Sequence, residues 1–149
     1  ALAHVPEAVL VMVGEGGLRA DLEALAAAYP GRVLFTGPQD HDQVLKLIRA
    51  ADVFVLSSYT EGLSHVLLES LSVGTPAVAT AVGGNPEVLT DGVNGLLVPP
   101  GSPADLAAAI GRLLQNPDLN ARLTAGALRR GEDFSWSRTV ERTEALLRP

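Results

Sequence analysis

Residues 61–87 read EGLSHVLLESLSVGTPAVATAVGGNPE, and this stretch decides the fold. Val66, Leu67, Leu68, Leu71 and Val73 recur at helical spacing, so a helix begins close to Ser64. Gly62 lets the backbone turn tightly ahead of it, and Ser64 is placed as an early-turn donor. Ala77 to Thr80 follows as a buried strand, and Gly83-Gly84 as a second glycine-rich turn.

Outward from this segment the same alternation continues. Val9 to Val13 is an apolar run that ends in Gly14-Glu15-Gly16-Gly17, and Leu18, Leu22, Leu25 and Ala26 then return to helical spacing. Arg32 to Thr36 is a second short strand closed by Gly37-Pro38. Asp40 caps a helix running to about Ala51, with Val44, Leu45, Leu47 and Ile48 as its apolar stripe. Val53 to Leu56 is the strand that leads into the helix near Ser64. Asn85-Pro86 and Ser102-Pro103 each set a capping side chain before a proline, so helices begin at both points, and Gly95 to Val98 lies between them as a last strand. Asn116-Pro117 and Ser135 start two further helices, reaching about Arg130 and about Leu147. Strands alternating with helices predict an α/β fold, a Rossmann-like parallel sheet with helices on both faces. The 149 residues make one domain, with no internal repeat, low-complexity tract or linker.

Composition narrows the chemistry. The chain has no cysteine, which excludes disulfides, thiolate zinc sites and cysteine nucleophiles. Its net charge is -6, with Lys46 the single lysine and the arginines gathered toward the C-terminal end, so nucleic acid is not an expected partner. Charge or glycine breaks every apolar run well short of the ~20 residues of a membrane span, and no signal peptide is visible. These features read as a soluble protein. The chain begins at Ala1, which reads as a segment or a processed chain.

In an open parallel sheet, ligands bind beyond the carboxyl ends of the strands, where helix N-termini converge. Glu61 stands at the mouth of the helix near Ser64, and Glu69 lies about two turns further in on roughly the same face as Gly62. The first N–H groups of that helix lack internal partners and favour an anion. Two carboxylates, which accept from hydroxyls, therefore flank an anion-binding patch, and a nucleoside diphosphate sugar carries the matching groups. The plainer reading stays open, in which Glu61 complements the helix dipole and Glu69 is a solvated helix residue. Gly14 to Gly17 serves equally as a phosphate cradle or a tight turn, and Asp40 as a ligand-side residue or a plain cap. His65 could face the ligand, although a surface or core histidine is the favoured reading; His4 and His41 receive no chemistry.

The Glu61-x7-Glu69 segment resembles glycosyltransferase family 4. So do Gly74 to Thr80, Gly83-Gly84-Asn85-Pro86-Glu87, Asp91-Gly92-Val93-Asn94-Gly95-Leu96-Leu97-Val98-Pro99 and Ala51 to Ser57. The resemblance covers nearly the whole chain in the family's order. It implies the C-terminal, donor-binding half of a GT-B fold in a retaining hexosyltransferase. UDP or another nucleoside diphosphate would carry the sugar, with no metal or other cofactor. By resemblance, Glu61 is the catalytic carboxylate that meets the donor sugar, and backbone groups of Gly62, Leu63 and Ser64 meet sugar and diphosphate. Glu69 holds the ribose, Gly14 and Glu15 lie near the donor, and the loop of Pro38 and Asp40 contacts the base. The resemblance further implies polysaccharide, lipopolysaccharide or glycolipid assembly in the cytoplasm, at the membrane periphery for a full-length protein.

The family's domain opens with a strand, a loop bearing an arginine and a lysine, and a helix, none of which is found in this sequence. Ala1 to Pro6 reads as the tail of that helix, so the fold is expected to be truncated at its N-terminus. The basic pair would supply on the order of a few kcal/mol in charge-assisted bonds to the diphosphate. Lys46 and Arg49 lie on a helix that should not reach it. In the doubly wound order 3-2-1-4-5-6 the absent strand is the central one. Its loss predicts that Val9 to Val13 and Val53 to Leu56 close against each other or recruit a strand from another copy, giving a homo-oligomer. An N-terminal acceptor-binding domain is the other expected partner, and without it the chain should not turn over. The competing readings are a non-catalytic binding or oligomerisation module and, less favoured, a nucleotide-sugar epimerase.

Overall fold

The computed structural model describes residues 2, 3 and 5–148, so Ala1, Pro149 and His4 lie outside it. Five strands and seven helices alternate among the described residues: β1 (Leu10–Val13), α1 (Arg19–Ala26), β2 (Val33–Gly37), α2 (His41–Ala50), β3 (Phe54–Leu56), α3 (His65–Ser72), β4 (Ala77–Thr80), α4 (Asn85–Val88), β5 (Gly95–Val98), α5 (Pro103–Gln115), α6 (Pro117–Asp133) and α7 (Trp136–Leu147). Every element lies where the sequence predicts one. The segment before β1 differs: its described residues form turns rather than the tail of a helix.

All strand pairs are parallel, but they form two sheets. β1 lies beside β2 with Leu10 opposite Val33, while β3, β4 and β5 make a separate sheet with Phe54 opposite Ala77 and Ala77 opposite Gly95. The expected closure of β1 against β3 does not occur, because they are not hydrogen-bonded neighbours. Each is anchored separately at its amino end. The Arg32 guanidinium donates to the carbonyls of Leu2, Val5 and Ala8 at 2.8, 2.6 and 3.0 Å, fixing the approach to β1. Asn120 Nδ2 donates to the Asp52 carbonyl at 3.0 Å, and Thr75 Oγ1 to that of Ile48 at 2.7 Å, fixing the approach to β3. A cavity of about 430 Å³ opens beside these anchors, lined by Val5, Glu7, Asp52, Leu113 and Asn120 among others.

The two sheets are unequally buried. All four residues of β4 are buried, and its side chains alternate between two clusters as a strand's must. Ala77 and Ala79 pack with Leu67 and Leu71 of α3, Val88 of α4, Leu89 and Ala127 of α6. Val78 faces the other way, toward Leu96 and Val98 of β5, Leu113 of α5 and Leu123 of α6. Each fully buried leucine contributes about 1.5–3 kcal/mol by leaving water. In β1, by contrast, Leu10, Val11 and Val13 remain 39–42% exposed, and α1 buries no residue.

Local capping chemistry sets the helix starts. Asp40 accepts from the Gln43 N–H at 2.8 Å, Asn116 from that of Leu119 at 3.0 Å, and Ser102 and Ser135 from the third residue onward, each at 3.4 Å. Asn85 departs from this pattern. Gly84 occupies the N-cap position of α4, and Asn85 turns inward, fully buried. The proline behind it suits either role, which is why the sequence did not separate them.

Core placement has a direct consequence for stability. Leu71→Ala should cost about 3 kcal/mol in urea unfolding followed by circular dichroism, whereas Leu34→Ala, on the 51% exposed position of β2, should cost less than about 1 kcal/mol. Equal losses would mean that the β1–β2 half is as tightly packed as the half around β4.

Candidate functional site

Beyond β3 the chain leaves the sheet as a loop, residues 57–64, and re-enters as α3. Ser64 is the N-cap residue by position; it is buried, its side chain makes no capping bond, and its carbonyl accepts from the Leu68 N–H at 3.2 Å. Gly62 and Leu63 are exposed just ahead of it, with the Gly62 carbonyl already accepting from the Gly84 N–H. The first N–H groups of α3, which lack intrahelical acceptors, share that opening.

Glu61 is half-buried at the start of this opening, and its Oε1 accepts from the Ser58 hydroxyl at 2.6 Å. Glu69 lies in the second turn of α3, about 7.5 Å along the axis from Ser64. Its side chain is 27% exposed, and Oε1 stands 3.6 Å from Nδ1 of His41, an ion pair when the imidazole is protonated. Glu69 is thus a partly enclosed carboxylate at an inter-helix contact, not a freely solvated one. His41, given no chemistry from sequence, is the first residue of α2 and brings the loop of Gly37, Pro38 and Asp40 to Glu69.

The loops after β1 and β2 are joined by the Gly14 N–H donating to the Gly37 carbonyl at 2.9 Å. Gly14 has φ +109 and Gly37 φ +68, conformations that favour glycine. Gly14 and Glu15 line a cavity of about 170 Å³ with Met12, Leu18, Arg19 and Phe35. Arg19 brings a cation to this cavity: its guanidinium lies 5.3 Å from the Phe35 ring centroid and pairs with Glu23 at 2.8 Å. Lys46 is exposed on α2, and Arg49 sits in that helix's last turn, at the end away from Asp40. His65 is exposed as the first residue of α3.

The turn after β4 completes the site. A Cβ on Gly83 would fall on the Glu61 carbonyl, and one on Gly84 would come within 2.6 Å of the Gly62 carbonyl oxygen. The Gly84 N–H donates to that same Gly62 oxygen at 3.0 Å. Sequence reading assigned Gly83 and Gly84 to a turn but missed their contact with Glu61 and Gly62. It also passed over Ser58, although serine three residues before a glutamate is a local spacing at which side chains can bond.

Comparison with known proteins bears on the fold and the family. Residues 1–130 match the family described as glycosyl transferases group 1. The chain is 40% identical over 139 residues to the D-inositol 3-phosphate glycosyltransferase of Acidothermus cellulolyticus, covering 89% of this chain and 31% of that protein. Among solved structures, sucrose-phosphate synthase from Thermosynechococcus elongatus is 32% identical, with a TM-score of 0.87 over 98% of this chain and 39% of that one. Anabaena Alr3699/HepE in complex with UDP-glucose is 26% identical, with a TM-score of 0.77 over 86% of this chain and 37% of that one. The chain spans about a quarter to a third of the length of the curated relatives it matches. Parallel strands covered by helices on both sides, with the matches above, make this a Rossmann-like GT-B fold, and the chain belongs to the glycosyl transferases of group 1.

Proposed function

We propose that this chain is the donor-binding portion of a retaining glycosyltransferase that moves a hexosyl unit from a nucleoside diphosphate sugar to a glycan or lipid acceptor. The observation that carries the reading is the division of labour along α3. Glu61 is held at its entrance by Ser58, and Glu69 is held one to two turns on beside His41, with the helix N-terminus between them. Hydroxyl-bearing groups suit the two ends and a diphosphate suits the middle. The UDP-glucose bound by Anabaena HepE supports a uridine nucleotide as the first ligand to test.

In this reading Glu61 meets the sugar, Glu69 the ribose, and the loop of Pro38 and Asp40 the base. Gly14 and Glu15 border the donor. The departing diphosphate is stabilised by the α3 N-terminus without a metal, and the reaction takes place in the cytoplasm. Acceptor binding belongs to an N-terminal domain, so the 149 residues alone should bind donor without turning it over.

Titration with UDP and UDP-glucose should move the amide signals of Gly62, Leu63 and Glu69 in a heteronuclear spectrum. Silence with both nucleotides would contradict the reading. Glu69→Ala should weaken UDP and UDP-glucose alike by about tenfold, the scale of one lost bond to a charged group. Loss of UDP-glucose affinity alone would put Glu69 at the sugar instead.

A second reading, an oligomerisation module, is favoured by the β1 edge, which is not paired with β3 and carries partly exposed aliphatic side chains. Light scattering should then give a mass above 15.5 kDa that rises with concentration. A constant monomer mass would remove this reading.

A further inference from the structure

Glu61 is the end of a chain of hydrogen bonds that begins in the core. Asn85, fully buried, donates from Nδ2 to the Thr80 carbonyl at 3.0 Å. Thr80, at the carboxyl end of β4, donates from Oγ1 to the Ser58 carbonyl at 2.7 Å. Ser58 in turn donates from its hydroxyl to Glu61 Oε1 at 2.6 Å. The direction of every bond is fixed by chemistry. Carbonyls and an ionised carboxylate only accept, so both hydroxyls and the amide nitrogen must be the donors. A hydroxyl-to-carboxylate bond this short is of the charge-assisted kind.

Resting on the donor-site reading, we propose that Ser58 is a positioning residue that sets the orientation of the Glu61 carboxylate, and that Thr80 and Asn85 hold Ser58 in place. With Oε1 committed to Ser58, Oε2 is the oxygen left for a hydroxyl of the donor sugar. The linkage joins residues 22 and 5 positions apart in sequence, so it exists only once β3, β4 and α4 have assembled. Asn85 Oδ1 is a buried acceptor without a partner among the described residues, so the bond from Nδ2 to Thr80 is the hydrogen bond its side chain makes. Ser58 would act through Glu61 on recognition of the sugar, not of the nucleotide.

Two readouts on Ser58→Ala, Ser58→Thr and Thr80→Val decide this. Three-bond couplings of Glu61, measured without ligand, should report one side-chain rotamer in wild type and Ser58→Thr, and averaging in Ser58→Ala. Thr80→Val, which removes the hydroxyl but keeps the shape, should average them partially. In binding measurements Ser58→Ala should lower affinity for UDP-glucose about tenfold and leave UDP unchanged, with Ser58→Thr restoring it. A single Glu61 rotamer in Ser58→Ala, or equal loss for UDP and UDP-glucose, overturns the proposal. If wild type binds neither nucleotide, the donor reading fails, while the couplings still decide whether Ser58 orients Glu61.

Discussion

Two stretches of backbone touch where Gly83-Gly84 meets Glu61-Gly62, and no side chain fits between them. This contact places the loop that carries the Glu61 carboxylate. It has to be made by glycine twice over, since a Cβ at residue 83 would overlap the Glu61 carbonyl and φ there is +51, a conformation costly to other residues. The turn itself is rigid because it leaves β4, whose four residues are buried between two apolar clusters. Core packing is thereby transmitted through Thr80 and the double glycine to the half-buried Glu61.

The site is built on unequal ground. Glu61 and the N-terminus of α3 rest on the β3–β4–β5 sheet, where Leu67, Leu71 and Leu123 are fully buried. The loops after β1 and β2 rest on a two-stranded sheet that exposes much of its apolar surface. Two polar tethers compensate in part: Arg32 gathers three carbonyls at the foot of β1, and His41 meets Glu69 across α2 and α3. Local opening follows the density of buried apolar contacts, so the β1–β2 half is expected to open more readily than the half around β4.

What sequence could reveal follows from how far apart the interacting residues lie. Asp40, Ser102, Asn116 and Ser135 were legible as caps because each bonds a backbone N–H three residues on. The α3 stripe and the buried strand Ala77–Thr80 were legible from periodicity, and so was the placement of Glu61 ahead of α3 and of Glu69 within it. Asn85 was misread, since the same Asn-Pro pair serves an N-cap or a buried turn, and only its Thr80 bond distinguishes them. The separation of β1 from β3, the Thr80–Ser58 bond and the His41–Glu69 contact are tertiary, set by elements remote in sequence, and no local pattern encodes them.

The central claim is that the Gly83-Gly84 contact puts Glu61 in place before any ligand arrives. The most direct test compares amide spectra of the ligand-free chain carrying Gly83→Ala or Gly31→Ala. Both glycines have positive φ, but a Cβ at Gly31 would meet nothing within 4 Å. The account predicts that Gly83→Ala displaces the signals of residues 57–64 while Gly31→Ala leaves them where they are. Wild-type positions for Glu61 and Gly62 in a folded Gly83→Ala protein would contradict it.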